Sequence, residues 1–333
     1  MQIRVQSNSM SRYAWIAYNP AAGRFPSRML TERAARVLEM AHWRTHLVQT
    51  RSGAHITELA AQAVRAGADV FIVVGGDGSL NHALPPLLHS QTALAVLPGG
   101  TANVWAQEIG LPGLTWTRWL ALEHSARLLA RGRIQSVDVG LCNGQPFLLW
   151  GGVGLDGFIV HRIEPRKPWE KHFAVLQYAT AAVMHLPRWR GLPLRGEVDG
   201  QRIAGRFIMA VASNIRLYAG GLMAISPQAR LDDGQMDLWL FAGDTPLDAA
   251  RHAFDVWAGR HVASALARRI VCREFVLRSE EQLYLQLDGE PVQAGGEIRM
   301  QVQPQALRVL VPAEMPAEYF VQPALENSVS MFV

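Results

Sequence analysis

The chain has 333 residues, of which 49% are hydrophobic and 18% are charged, so its composition excludes a wholly disordered protein. Its formal net charge is +4, and arginine carries the excess because Lys167 and Lys171 are the only lysines. Two distant cysteines, Cys142 and Cys272, exclude a disulfide framework and a zinc-binding spacing. The amino terminus lacks the apolar core of a signal peptide, so we predict a soluble, cytoplasmic protein.

The first 135 residues alternate short apolar runs with segments whose apolar residues recur at helical spacing. This alternation predicts a mostly parallel sheet with helices on both faces. Ligands bind such sheets beyond the carboxyl ends of the strands, which is where the glycine-rich segments of this half fall. The predicted strands are residues 13–18, 43–49, 69–74 and 93–98, and the predicted helices are residues 27–41 and 54–67.

From about residue 134 the pattern changes to many short strands, which predicts an antiparallel sandwich or barrel. Asp199-Gly200 predicts a hairpin. We therefore predict an α/β domain over residues 1–135 and a β-rich domain over 136–311, with the tail 312–333 either packing on the first domain or fraying. The predicted strands are residues 133–142, 146–154, 192–200, 201–213, 235–243, 269–279, 282–290, 297–304 and 306–312, and one helix is predicted at 245–259.

The segment GGDGS, residues 75–79, follows the third predicted strand. Its glycines allow backbone amides to approach a ligand, and a helix that begins with Ser79 as its N-cap directs its positive end to the same place, which favours a phosphate. Asp77 would repel that phosphate unless a cation lies between them, so a magnesium-bearing nucleotide fits both features. The alternative is an ordinary turn between strand and helix. The chain contains no Walker A motif.

Two more segments lie at the same predicted sheet edge. LPGGTANVWAQEIGLP, residues 97–112, provides Thr101 and Asn103 before a helix, and its alternative interpretation is helix capping by Thr101. YNPAAG, residues 18–23, places Asn19 at a strand end, and for this segment taken by itself a plain Asn-Pro turn is the favoured interpretation.

Carboxylates recur in two segments of the second half. In LDDGQMDL, Asp233 and the neighbouring carbonyls form a candidate site for a hard cation, although a surface turn is the simpler interpretation. In LDGEP, Asp288 and Glu290 provide a carboxylate that takes a proton from an attacking hydroxyl, and the alternative is a hairpin turn.

In this order, the motifs NPAAG, GGDGSLNHAL, LPGGTANVWAQEIGLP, GGVGLDG, LDDGQMDL and LDGEP resemble the diacylglycerol kinase catalytic family, most closely its bacterial lipid-kinase branch. The resemblance covers roughly residues 15–291. It implies an N-terminal α/β domain like that of NAD kinases and a C-terminal β-sandwich-like domain. It also implies transfer of the γ-phosphoryl group of ATP to a lipid hydroxyl, with Mg²⁺ as a second cofactor.

The resemblance implies residue roles as well. Glu290 would accept the proton, with Asp288 beside it and Asp77 in the same catalytic group. The implied magnesium ligands are Asp233 and the carbonyls of Arg230 and Gln235. The implied nucleotide contacts are Asn19, Thr50, Gly75, Gly76, Asp77, Gly78, Ser79, Leu80, Asn81, Gly100, Thr101 and Asn103.

The implied substrate is a lipid at a membrane surface, so we expect a protein peripheral to the membrane. Residues 161–195 combine basic side chains with Trp169, Trp189 and an apolar run, which is typical of an interfacial element. The alternative for this segment is a core-packing helix with a solvated face. The sequence contains no basic run and no aromatic-basic repeat, so it gives little support for nucleic-acid binding. The sequence leaves the oligomeric state open, a homodimer included.

Three other functions share some of these motifs. An NAD kinase also has GGDG, but GTAN stands where that family has other residues. Phosphofructokinase fits the length, but the chain lacks a catalytic stretch of the Thr-Ile-Asp-x-Asp type. A regulator that binds nucleotide or lipid without catalysis is disfavoured because both Asp77 and Glu290 are present.

Overall fold

The computed structural model describes residues 11–20, 27–115, 117–163 and 189–325. Its first half is a parallel sheet in the order β2-β1-β3-β4, with helices between the strands. The strands are β1 (Tyr13–Tyr18), β2 (Arg44–Gln49), β3 (Val70–Gly75) and β4 (Ala93–Pro98), and the helices are α1 (Ser27–Met40), α2 (Gly53–Arg65), α3 (Asp77–Leu87), α4 (Val104–Glu108) and α5 (Ala121–Ala130).

Burial explains these elements. All six residues of β4 and the first five of β3 are buried, as expected of parallel strands covered on both faces. Helices α1 and α2 bury one apolar face each, and Ser52 caps α2 by accepting a hydrogen bond from the N–H of His55. The predicted parallel sheet with helices is confirmed.

The second half is dominated by antiparallel strands. Its helices are α6 (Leu155–Ile163) and α7 (Pro246–Trp257). Its strands are β5 (Arg133–Cys142), β6 (Gln145–Phe147), β7 (Trp150–Gly154), β8 (Leu192–Val198), β9 (Gln201–Ser213), β10 (Leu217–Tyr218), β11 (Met223–Ala224), β12 (Met236–Ala242), β13 (Ala267–Cys272), β14 (Glu274–Arg278), β15 (Leu285–Leu287), β16 (Glu290–Val292) and β17 (Glu297–Val311).

The long strand β17 joins the two halves into one sheet. It pairs antiparallel with β14 and β5, and Val309 near its end pairs parallel with Leu94 of β4. The prediction of two strands at 297–304 and 306–312 is therefore wrong. The break in the pattern is a register shift between Gln303 and Leu307, where Gln305 adopts a positive φ of 51°.

Other boundaries also differ from the sequence pattern. The predicted strand 269–279 is two strands, since β13 pairs with β12 whereas β14 pairs with β8 and β17. The predicted strand 146–154 is likewise divided between β6 and β7. The hairpin at Asp199-Gly200 is confirmed between β8 and β9, and the helix at 245–259 is confirmed as α7.

The tail up to residue 325 packs against the rest of the chain. Arg133 donates hydrogen bonds to the carbonyls of Ala313 and Met315, at 2.6 and 2.8 Å. Met315 and Phe320 belong to the same buried cluster as the parallel sheet. The region around residues 164–188 lies outside the described residues. Within the described chain, no helix is long and apolar enough to cross a bilayer.

Candidate functional site

Two glycine-rich loops meet at the carboxyl ends of β3 and β4. A Cβ atom on Gly100 would lie 2.6 Å from the Cα atom of Gly76, so the two backbones approach more closely than any side chain allows. Helix α3 begins at Asp77 with Gly76 as its N-cap. The prediction that Ser79 caps this helix is wrong: Ser79 lies inside its first turn, and its own N–H donates to the carbonyl of Gly76.

The carboxylate of Asp77 connects the two loops. It accepts hydrogen bonds from the backbone N–H groups of Val104 at 2.9 Å and Trp105 at 3.0 Å, so it caps the short helix α4. Burial raises the pKa of Asp77, and these N–H donors act in the opposite direction. The sequence predicts a cation between Asp77 and a phosphate. In this structure the Asp77 carboxylate instead faces backbone N–H groups.

The second loop is closed by Asn103. Its side-chain amide donates to the carbonyl of Gly100 at 2.8 Å, and its side-chain oxygen accepts from the N–H of Gly100 at 2.9 Å. Asn103 is buried, lies in the left-handed region and is itself the N-cap position of α4. The alternative interpretation, that Thr101 caps this helix, is therefore wrong, and Thr101 is exposed on the loop.

The remaining expected nucleotide contacts differ in exposure. Asn19 follows β1 and Thr50 follows β2, so both lie at the edge that carries the glycine loops. Thr50 is buried, and its N–H donates to the carbonyl of Tyr18 at 2.8 Å. Leu80 packs in the core, so its side chain faces away from solvent, whereas Asn81 is half-buried. Residues 21–26, which complete the NPAAG segment, lie outside the described residues.

Glu290 lies directly beside the first glycine loop. A Cβ atom built on Gly78 would be 3.1 Å from Oε1 of Glu290, so this carboxylate lies against the first turn of α3. Glu290 is exposed and is the first residue of β16, in the antiparallel half of the chain. The fold thus brings together GGDG and LDGEP, which are separated by about 200 residues, at one exposed position.

Asp288 anchors the turn that carries Glu290. Its carboxylate accepts three hydrogen bonds of 2.7–2.9 Å from consecutive backbone N–H groups that lead into the first residue of β7. The pKa of Asp288 is raised to about 7: burial is the largest cause, the three N–H donors act against it, and the charge of Asp77 adds a smaller increase. The donors are the backbone N–H groups of Leu148, Leu149 and Trp150.

A second buried network supports the same turn, and the sequence analysis missed it. Gln286 donates to Asp156 at 2.7 Å and accepts from the N–H of Gly289 at 2.7 Å. Asp156 is in the first turn of α6, also accepts a bond from Tyr218, and has its pKa raised by burial. A Cβ atom on Gly152 would overlap the Asp156 carboxylate. The only sequence signal for this network was the glycine-rich motif GGVGLDG.

The expected magnesium ligands line a cavity of about 700 Å³, which includes no residue of the glycine loops. Oδ1 of Asp233 accepts a hydrogen bond from the N–H of Gln235 at 3.0 Å. Burial raises the pKa of Asp233, and the charges of Asp237 and Asp232 raise it further. Among the described residues, no group of three or more His, Cys, Asp or Glu side chains forms a metal site.

Helix α4 is bonded to the second half of the chain. The buried carboxylate of Glu108 accepts the backbone N–H groups of Arg216 at 3.1 Å and Leu217 at 2.9 Å, and burial raises its pKa. Because α4 follows the GTAN loop directly, these bonds fix that loop relative to the segment between β9 and β10.

Two family models match this chain. One, described as the diacylglycerol kinase catalytic domain, matches residues 13–142, and the other, described as the YegS C-terminal NAD kinase beta sandwich-like domain, matches residues 152–311. Residues 13–142 therefore match the diacylglycerol kinase catalytic family, and the two matched regions together take up most of the chain. These matches agree with the observed fold, a mostly parallel sheet followed by an antiparallel, strand-rich half.

Individual relatives agree with this assignment. The chain is 25% identical over 279 residues to a Bacillus subtilis (strain 168) protein named "Diacylglycerol kinase", covering 83% of this chain and 89% of the relative. It is 28% identical over 260 residues to a Pseudomonas aeruginosa (strain UCBPP-PA14) protein named "Probable lipid kinase YegS-like", covering 78% and 82%. The crystal structure of a diacylglycerol kinase from Bacillus anthracis str. Sterne matches this chain with a TM-score of 0.68 at 18% sequence identity. The match covers 92% of this chain and 100% of that chain, which shows that the two share a fold.

Proposed function

We propose that this protein is an ATP-dependent lipid kinase that transfers the γ-phosphoryl group of ATP to a lipid hydroxyl. The observation that carries the proposal is the position of Glu290 against Gly78, at the first turn of α3. A carboxylate therefore lies at the end of a helix that is suited to bind phosphate.

The phosphate-binding part is the amino terminus of α3. This helix has 11 residues, and its N-cap, Gly76, provides no side chain to cover the first-turn N–H groups. The helix dipole favours an anion at this end. The glycine pair at positions 76 and 100 leaves room for a polyphosphate to approach the backbone. ATP enters as its magnesium complex, in which the ion is part of the substrate.

The proton-accepting part is Glu290. In the proposed reaction, the lipid hydroxyl oxygen forms a bond to the γ-phosphorus, and the bond from that phosphorus to the bridging oxygen of ADP breaks. The hydroxyl proton passes to the carboxylate of Glu290. Asp288 holds the turn through three backbone hydrogen bonds and so positions Glu290 rather than replacing it.

The donor set near Asp233 fits a hard divalent cation. One carboxylate together with the carbonyls of Arg230 and Gln235 provides oxygen ligands of the kind that Mg²⁺ prefers. A bound cation would offset the charges of the neighbouring acidic residues and fix this turn. It would take no part in phosphoryl transfer.

A lipid acceptor implies that the protein works at a membrane surface, and we propose a cytoplasmic protein that binds this surface peripherally. The decisive experiment incubates purified protein with γ-labelled ATP and, separately, diacylglycerol, ceramide, a sphingoid base, phosphatidylglycerol and NAD. We expect label in one of the lipids. Label in NAD alone would support an NAD kinase instead, and ATP binding without any transfer would support a regulator.

A further inference from the structure

Helix α7 and the turn after it expose four large apolar side chains. Leu247, Phe254, Trp257 and Val262 are 78%, 51%, 65% and 51% exposed. The rings of Phe254 and Trp257 are in contact, with centroids 5.9 Å apart. Elsewhere in the described chain, large exposed apolar residues occur singly or in pairs along each element. A concentration of this kind indicates a binding surface.

The exposed surface is held rigidly by the opposite side of the helix. Thr245 and Asp248 form a capping box that fixes the start of α7. On the inner face, the ring of His252 contacts the ring of Phe241, and its Nε2 is 2.7 Å from the carbonyl oxygen of Ala242. The outward direction of the apolar side chains is therefore set by packing.

Arginines border the aromatic pair. The guanidinium of Arg260 lies 5.8 Å from the ring centroid of Phe254, and Arg251 is exposed on the same helix. Both arginines share one carboxylate, that of Asp255, at 3.7 and 3.8 Å. The three side chains together therefore carry one excess positive charge, which complements an anionic surface.

The surface is connected to the proposed substrate side of the site. Ala249 of α7 packs in one small cluster with Leu155 and Ile159 of α6. Helix α6 begins at the Asp156 network that supports the turn of Glu290. A lipid bilayer bound at α7 would thus lie next to α6. The first turn of α6 contains Asp156, which supports the turn that carries Glu290.

We propose that the exposed surface formed by Leu247, Phe254, Trp257 and Val262, with Arg251 and Arg260, docks onto an anionic lipid bilayer. This inference rests on the proposed lipid kinase function, because that function requires access to a membrane-embedded substrate. Tryptophan and phenylalanine insert at the bilayer interface, and arginines bind anionic headgroups.

Vesicle binding without ATP tests the surface directly. The vesicles contain phosphatidylcholine with or without phosphatidylglycerol. We expect Phe254→Gln combined with Trp257→Gln to lower vesicle affinity about tenfold or more. Arg251→Gln with Arg260→Gln should weaken binding only when phosphatidylglycerol is present. The control Met40→Gln removes an apolar side chain that is 74% exposed on α1, and we expect it to bind vesicles like the parent protein.

A fluorescent label gives a second readout. Cys142 and Cys272 are buried, and burial raises the pKa of each thiol to about 12, so a Trp257→Cys variant should react with a dye at position 257. A polarity-sensitive dye should shift to the blue on addition of anionic vesicles, whereas the same dye on a Met40→Cys variant should not. The absence of any shift at position 257 would overturn the proposal.

Two outcomes distinguish a failure of the docking proposal from a failure of the proposed kinase function. If the parent protein phosphorylates none of the lipids but the double aromatic variant still loses vesicle binding, the docking surface stands and the kinase proposal fails. If the parent phosphorylates a short-chain soluble lipid and the variant binds vesicles normally, the docking surface fails alone. A parent dimer that the double variant converts to monomers in sedimentation would identify a contact between two copies and overturn the proposal.

Discussion

Gly76 and Gly100 are in backbone contact, although they lie 24 positions apart in the sequence: a Cβ atom on Gly100 would lie 2.6 Å from the Cα atom of Gly76. The contact brings the loops after β3 and β4 together at the proposed nucleotide site. Gly100→Ala should therefore push the loops apart, destabilise the protein by about 1–3 kcal/mol and weaken ATP binding about tenfold. Denaturant unfolding and calorimetric titration with ATP would measure both effects.

The matched control is Gly113→Ala, because a Cβ atom there would meet nothing within 4 Å. This variant should retain parent stability and ATP affinity. Equal behaviour of the two variants would mean that the close contact of the loops is not required for nucleotide binding.

Asp77→Asn tests the bond between the two loops. An asparagine has one acceptor oxygen, so one of the two N–H groups of Val104 and Trp105 would lose its partner. We expect a loss of stability of about 1–3 kcal/mol and weaker ATP binding. Asp244→Asn, at an exposed position, should change neither. If Asp77→Asn abolished turnover with stability and ATP affinity unchanged, Asp77 would act on the reacting groups and not on the loops.

The pH dependence of stability should reveal Asp288. Its pKa in the folded protein is about 7, compared with an ordinary value of 3.8. Since the pKa is raised on folding, its contribution is fully present below about pH 4 and is lost as the pH rises through 7, by up to about 4 kcal/mol. Asp288→Asn should remove this decline, although the variant should be less stable at low pH because it loses an acceptor.

Chemical unfolding of both proteins between pH 4 and 8 would measure the difference in slope. If the stability of the parent rose with pH more steeply than that of Asp288→Asn, the three N–H donors would outweigh burial, and the carboxylate would be ionised throughout.

Magnesium should stabilise the protein through Asp233. Adding Mg²⁺ in the absence of nucleotide should raise the melting temperature of the parent protein, because an ion that binds only the folded state stabilises it. Asp233→Asn should abolish the increase, while Asp244→Asn should preserve it. An increase that persisted in Asp233→Asn would place the ion elsewhere.

The sequence predicted those features that depend on local pattern. Apolar runs separated by helical segments predicted the parallel strands, Asp199-Gly200 predicted the hairpin between β8 and β9, and glycines after strands predicted the loops at one sheet edge. Each of these signals lies within a few consecutive residues, so it required no knowledge of distant contacts.

Contacts between distant residues could not be predicted in this way. Nothing near Asp77 indicates that its carboxylate bonds to Val104 and Trp105. The N-cap preference of serine predicts Ser79 as the helix cap, whereas the observed N-cap is Gly76. The addition of β17 to the parallel sheet depends on a register that periodicity does not specify. The network of Asp156 and Gln286 joins residues 130 positions apart.

Trp189 shows that residue composition alone does not predict whether a side chain is buried. Tryptophans and basic residues occur together between residues 161 and 195, and the sequence left two interpretations of this segment open, an interfacial element and a core-packing helix. In the structure the Trp189 side chain is buried, and its indole N–H donates to the carbonyl of Ile208 at 3.1 Å. For this residue the structure agrees with the alternative, packing in the core, while residues 164–188 of the same segment lie outside the described residues. Burial depends on the partners that the fold provides, and the cluster around α6 provides them.

The central claim concerns Glu290 as the proton acceptor, and single-turnover and steady-state assays of Glu290→Gln test it most directly. Glutamine has nearly the same shape but accepts no proton, so turnover should fall about 10²–10⁴-fold while ATP affinity stays close to that of the parent. Glu280→Gln, whose side chain is 84% exposed and paired with Arg195, should behave like the parent. Turnover of Glu290→Gln within a fewfold of the parent would contradict the account.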